Sequence, residues 1–246
     1  MTTFESLQGA ESDFMVVLLG GFGLFWGSAL LRVPRASQRL VAFLALHGGM
    51  VRRTAVAGSL WPDASERHAH SNLRQALARL QSTARKALAA NKLELGLAEG
   101  VRVDIRHARA LASRLLDPAV TAEHSELGTA AVGVLSAELL PGWYDDWVLL
   151  EAEDWRQMRL HALEALAGHL AAAGRCGEAA GAATAAVRAD PLRESARASL
   201  IQVHLAEGNQ SEAVREFARY QALLHDDLGL EPTLRLRHLI EGLHSP

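Results

Sequence analysis

Ser65-Glu-Arg-His-Ala-His-Ser-Asn-Leu-Arg-Gln-Ala-Leu-Ala-Arg-Leu80 is the stretch whose reading decides the fold. With Leu73 taken as the inward direction, Ala69, Ala76, Leu77, Leu80 and Ala84 fall within about 60° of it at 100° per residue. The opposite side carries Arg67, His68, Ser71, Arg74, Gln75 and Arg79, with Asn72 at its edge. These side chains can donate to phosphates and base edges, and an arginine can reach a guanine through two parallel bonds. Ser65 suits an N-cap. No Gly or Pro interrupts the run as far as Ala90, so the reading is one helix from Glu66 to about Ala90. A single amphipathic helix with a polar face is common, and the flanking sequence has to supply the rest.

Upstream, Leu40, Val41, Phe43, Leu44 and Leu46 form a broad apolar face on a helix that Gly48-Gly49 should end. A second helix is expected from Arg53-Thr54 to Leu60-Trp61, because Pro62 continues it poorly. Thr54 can cap its N-terminus, where free N–H groups favour a phosphate, and Arg52 and Arg53 stand beside that end. Downstream, Lys92–Leu95 and Val101–Ile105 alternate around the glycine-bounded Gly96–Gly100 and read as a β-hairpin carrying Arg102. Further upstream, Phe14–Leu31 carries no charged side chain, and the run comes close to the length of a membrane span. Its glycines break it into three short strands, Met15–Leu19, Phe22–Trp26 and Ala29–Val33, so no membrane partner is expected. Strands, three helices and a terminal hairpin make an N-terminal winged helix-turn-helix with an antiparallel sheet.

Charge follows the same division. Residues 32–109 hold 14 Lys/Arg and 5 Asp/Glu, a local balance of +9, while residues 110–246 carry 11 basic and 20 acidic side chains. The overall charge of −3 therefore hides a basic module joined to an acidic one. The basic part has the electrostatic footprint of a nucleic-acid binder, and the acidic part calls for a different partner.

Residues 110–246 are rich in Ala, Leu and Glu and read as helices throughout. Gly174, Glu178 and Ala179 recur as Gly208, Glu212 and Ala213, and Leu166 recurs as Leu200, all at one constant spacing. That spacing is the tetratricopeptide period, two helices per unit. Asp190-Pro191 and Glu231-Pro232 are each expected to open a helix. Trp143, Tyr144 and Trp147 lie before a long helix expected near Leu149, as packing anchors or as an exposed patch. The fold class is thus mainly α with a small β component: residues 1–107 a winged-helix domain and 108–246 a tetratricopeptide-like all-α domain.

Seven stretches in order resemble the SARP family of bacterial transcriptional activators, which joins an OmpR-type winged helix to a bacterial transcriptional activator domain. They are Gln38–His47, Leu60-Trp-Pro-Asp63, Asn72-Leu-Arg74 with Leu77 and Arg79, Gly100–Asp104, Leu140-Pro-Gly-Trp-Tyr-Asp-Asp-Trp147, Ala189–Glu194 and Asp227–Pro232. The resemblance implies binding of double-stranded promoter DNA at direct repeats, recruitment of RNA polymerase, and a third helix lying in the major groove. It places recognition on Arg67, Asn72, Arg74, Gln75 and Arg79. It places phosphate contacts on Arg52, Arg53, Thr54 and the hairpin with Arg102, and a homodimer of head-to-tail copies on the DNA. Gly21–Leu31 departs from the family pattern in being more apolar. With nothing after Pro246, the expected likeness is to the small regulator-only members.

The sequence offers no catalytic chemistry to set against this reading. It has neither a phosphate-cradling loop with a Lys nor a Gly-x-Ser-x-Gly elbow, and Gly20-Gly-Phe-Gly23 leads into another strand. His68 and His70 point to different helix faces, so no metal and no cofactor is expected. Cys176 is the only cysteine, which excludes an intramolecular disulfide and fits a cytoplasmic protein. The competing reading is a protein-interaction adaptor whose winged helix does not bind DNA; the arginine-rich face argues against it.

Overall fold

The computed structural model describes residues 13–119 and 127–241. The chain forms two compact units, one of residues up to 107 with 138–153, the other of 108–137 with 154 onward. Glu138–Glu153, which the sequence division gives to the helical domain, therefore packs in the first unit.

In the first unit β1 (Phe14–Val17), β2 (Gly23–Trp26) and β3 (Ala29–Leu30) follow one another antiparallel. Phe14, Val16 and Leu18 are buried while Met15 and Val17 are half-buried, the period-two pattern of a sheet with one covered face. The uncharged run is thus sheet, turned at Gly20 (φ 77°) and Gly27 (φ 57°), where a side chain would be strained. Among the described residues no helix is long and apolar enough to cross a membrane.

Helix α1 (Arg35–His47) begins after Pro34 and stops at Gly48 in positive φ, as its pattern predicts. Strand β4 (Val51–Arg52) leads into α2 (Arg53–Leu60), and the turn Trp61–Ser65 leads into α3 (Glu66–Ala78). Then come α4 (Ser82–Arg85), β5 (Leu88–Ala90), β6 (Glu94–Leu97) and β7 (Arg102–Val103). Leu40, Phe43, Leu44, Val56, Leu60, Leu73 and Leu95 form one core under the three main helices.

Two sequence expectations are corrected here. The third helix ends at Ala78, not near Ala90, because the Arg85 guanidinium donates to the carbonyls of Leu77 (2.8 Å) and Ala78 (3.2 Å). A cation there satisfies C-terminal acceptors that would otherwise lack partners. The hairpin is also one segment earlier than expected. β5 pairs antiparallel with β6, and β6 with β4, giving the order β4-β6-β5. The turn is set by Asn91, whose Oδ1 accepts from the N–H groups of Leu93 and Glu94, both at 2.8 Å. This local side-chain bond outcompetes the glycine-bounded turn further on. Strand β7 leaves the wing altogether and pairs parallel with β1, giving β3-β2-β1-β7, a mixed sheet.

Asp104 fixes that junction. Its carboxylate accepts from the N–H groups of Leu18 and Leu19, at 2.9–3.0 Å, and from Ile105. Burial pushes its pKa up, partly opposed by these backbone bonds.

The second unit is helical. It contains α6 (Thr129–Ser136), α8 (Cys176–Ala189), α9 (Glu194–Ala206), α10 (Gln210–Leu228) and α11 (Leu234–His238), with most of α5 (Asp104–Leu116) and α7 (Asp146–Ala172). Gly174 (φ 73°) and Gly208 (φ 81°) make the equivalent turns of successive repeats. Ala179, Ala182, Ala183 and Ala186 are fully buried, so α8 packs through small residues. In the second copy Phe217 and Tyr220 fill the corresponding space with Ala213. A buried Arg197–Glu216 ion pair joins α9 to α10. Asp190 does not open α9; it ends α8 and pairs with Arg156, and α9 starts at Glu194. Likewise Thr233, not Glu231, caps α11.

Candidate nucleic-acid interface

Helix α3 turns Ala69, Leu73 and Ala76 into the core and leaves Arg67, His68, Arg74, Gln75 and Arg79 exposed or half-buried on the far side, with Ser71 and Asn72 half-buried between. The structure therefore brings Arg67, Arg74, Gln75 and Arg79, the last at the C-cap, onto the outward side of α3, with Asn72 half-buried at its edge. At 1.5 Å per residue, Arg67 and Arg79 lie about 18 Å apart along the axis, roughly five base-pair steps. Among the described residues no carboxylate pairs with Arg67, Arg74 or Arg79, so the three guanidiniums keep their donors for a ligand. Ser65 holds the N-cap position but its hydroxyl lies 2.9 Å from His68 Nδ1, fixing that ring at the first turn.

The expected phosphate side chains separate into three cases. Arg52 is exposed on β4 opposite Glu94. Arg53 is tied to the wing: its N–H donates to Leu93 O (2.8 Å) and its Nε to Asn91 O (3.0 Å). Thr54 is exposed in the first turn of α2 but does not cap it; Arg52 occupies the cap position without a side-chain bond. Arg102 is corrected. It sits on β7 of the four-stranded sheet opposite Met15, not on the hairpin, because β7 finds its pairing partner in β1.

The turn that does form the wing is Asn91-Lys92-Leu93, with Lys92 exposed and Leu93 76% exposed. Sequence reasoning missed it by placing the hairpin one segment too late. The available signal was Asn91, a residue that bonds to backbone two and three positions on. Among the described residues no group of three His, Cys, Asp or Glu side chains could hold a metal ion.

In the second unit a groove of about 610 Å³ is lined by Gly168, Ala171, Ala198 and Ala206 together with Glu164, Glu194 and Arg235. Small residues leave the groove open, while Glu164 accepts from Arg193 and Ser195 and Glu194 accepts from Thr233.

The model of the bacterial transcriptional activator domain matches residues 102–244, more than half of the chain. The chain belongs to that family. A winged helix ahead of that domain gives the chain the two-part layout of the SARP family. The regulatory protein AfsR of Streptomyces griseus is 28% identical over 254 residues, covering 95% of this chain and 25% of AfsR. The structure of Mycobacterium tuberculosis EmbR, in complex with a low affinity phosphopeptide, superposes with a TM-score of 0.70 at 22% identity. That match covers 94% of this chain and 65% of EmbR. The SARP-type chain thus spans about a quarter of one relative and just under two thirds of the other.

Proposed function

We infer that this SARP-type regulator reads double-stranded promoter DNA with α3 in the major groove. Arg67, Asn72, Arg74, Gln75 and Arg79 face the bases. Arg52, Arg53 and Thr54, together with Lys92 on the wing, contact phosphates. The observation that carries the reading is the outward face of α3: arginines without carboxylate partners among the described residues, beside amide side chains that suit adenine. Arginines left without acidic partners repel one another in the free protein and are useful against a polyanion. Bound at direct repeats as a homodimer of head-to-tail copies, the chain activates by presenting its acidic helical domain to RNA polymerase.

The test is selection of fragments from a source-genome library on the purified chain, followed by titration of the best fragment at several salt concentrations. The reading expects one sequence to be enriched, with affinity falling steeply as salt rises. Equal weak binding to all fragments refutes it and leaves the adaptor, whose partner would be sought with the helical groove as bait.

A further inference from the structure

We propose that Glu138–Trp147 is a strap that sets the helix-turn-helix geometry, with Asp145 as a positioning residue for DNA reading. This rests on the reading of α3 given above. The strap enters beside the first sheet: Gly20 N donates to Glu138 O (2.7 Å), Leu140 N donates to Leu18 O (2.9 Å), and Leu19 bridges Leu139. Leu140 then takes φ +44°, the one non-glycine residue in positive φ among those described. Such a conformation is strained for a residue with a side chain and persists only where packing on both sides imposes it. Here the packing is aromatic. Trp143, 6% exposed, stacks on Phe22 at 6.2 Å, with the Arg35 guanidinium 4.0 Å from its ring. Trp147 stands edge-on to Phe43 at 5.4 Å and packs against the core under α1, α2 and α3.

Between the two tryptophans, Asp145 pairs with Arg39 of α1. The same Arg39 Nη2 donates to the carbonyl of Leu60 at 2.6 Å. Leu60 is the last residue of α2, and the turn after it aims α3. Asp145 thus holds a guanidinium, and that guanidinium holds the acceptor at the C-terminus of α2, where a cation is also favoured by the helix dipole. Both side chains are largely shielded, with 23% and 17% exposure. A carboxylate removed from this site leaves Arg39 partly buried without its counter-charge, and the guanidinium turns to water and drops the Leu60 carbonyl. The turn loosens, and α3 meets the groove over a spread of angles, although none of these residues lies on its outward face.

Asp145→Asn in the full chain tests this, with three readouts: amide exchange across Trp61–Ser65, affinity for the selected fragment with its salt slope, and thermal melting. The proposal expects faster exchange confined to that turn, a loss of affinity of about 5- to 20-fold, and an unchanged salt slope, because no phosphate contact is removed. Asp145→Glu, which keeps the charge, should recover part of the affinity. Arg39→Met serves as a second variant if Asp145→Asn does not fold: it removes the Nη2 that makes both bonds, and the same local exchange is expected. Unchanged exchange in the turn overturns the proposal. So does exchange raised evenly across the whole unit with a lowered melting point, which marks a merely structural role. If the wild type binds no fragment, the DNA reading fails by itself, and the exchange comparison still decides whether Asp145 holds the turn.

Discussion

Replacing Arg74 by Ala separates base reading from charge attraction. Arg74 is exposed near the middle of α3, with no carboxylate partner among the described residues and no part in the core. Alanine is a better helix former than arginine, so folding stability should stay within about 0.5 kcal/mol of the wild type. The whole effect then appears in binding. A two-bond contact to guanine is worth about 1–3 kcal/mol of discrimination, which corresponds to roughly a 5- to 150-fold weaker Kd. The assay is fluorescence titration of the selected fragment and of its single-base variants at each contacted position, repeated from low to physiological salt. Base reading predicts a loss on the selected fragment, with preference relaxed at one base pair and the others kept. An equal loss on every sequence, with the salt slope reduced by about one unit, demotes Arg74 to a phosphate contact. No loss on any sequence refutes the placement of α3 in the groove.

Three further outcomes follow from individual side chains. Arg85→Ala should lower stability by about 1 kcal/mol, measured by urea unfolding, with faster amide exchange at the end of α3, because the Leu77 and Ala78 carbonyls lose their donor. Lys92→Ala at the wing turn should weaken binding to all fragments alike and reduce the salt slope by about 0.9, without altering preference. Asp104 has its pKa raised above 3.8 by burial. Its contribution to stability is therefore fully present below that value and is lost as pH rises through the folded-state pKa. The stability of the wild type relative to Asp104→Asn should accordingly fall as pH rises from 3.8, read by urea unfolding in a pH series; a difference that is constant or grows with pH contradicts the shift.

Much of this architecture is legible in the sequence because it rests on periodicity and punctuation. The outward face of α3 follows from placing Leu73 inward, and the helical repeat follows from Gly174 and Gly208, which both adopt positive φ. What was not legible depends on long-range choices. Nothing in residues 79–90 forbids a helix; α3 stops because Arg85 folds back on it and because Leu88–Ala90 finds β6 as a partner. Arg102 alternates convincingly within a strand, yet which sheet that strand joins is decided by β1, at the far end of the winged-helix sequence. Thr54 has the chemistry of a cap, but the hydrogen bond from Arg53 N to the wing starts the helix two residues too early for it.

The tryptophan strap carries the same lesson furthest. Trp143 and Trp147 lie inside the residues matched by the activator-domain family, 102–244, yet they pack in the first unit. A family boundary follows sequence likeness, whereas a folding unit follows where apolar surface is covered, and here the two differ. The consequence is a prediction for the isolated segment 1–107. Burying one tryptophan removes roughly 200 Å² from water, an upper limit of about 5 kcal/mol at 25 cal/mol per Å². Small domains have only about 5–15 kcal/mol in total. Cut at 107, the winged helix leaves Phe22 and Phe43 uncovered and Arg39 without Asp145. That fragment should melt well below the full chain and bind an apolar dye, while a segment extended to Glu153 should regain much of the difference. A fragment ending at 107 that melts as high as the extended one would show that the winged helix does not depend on the strap.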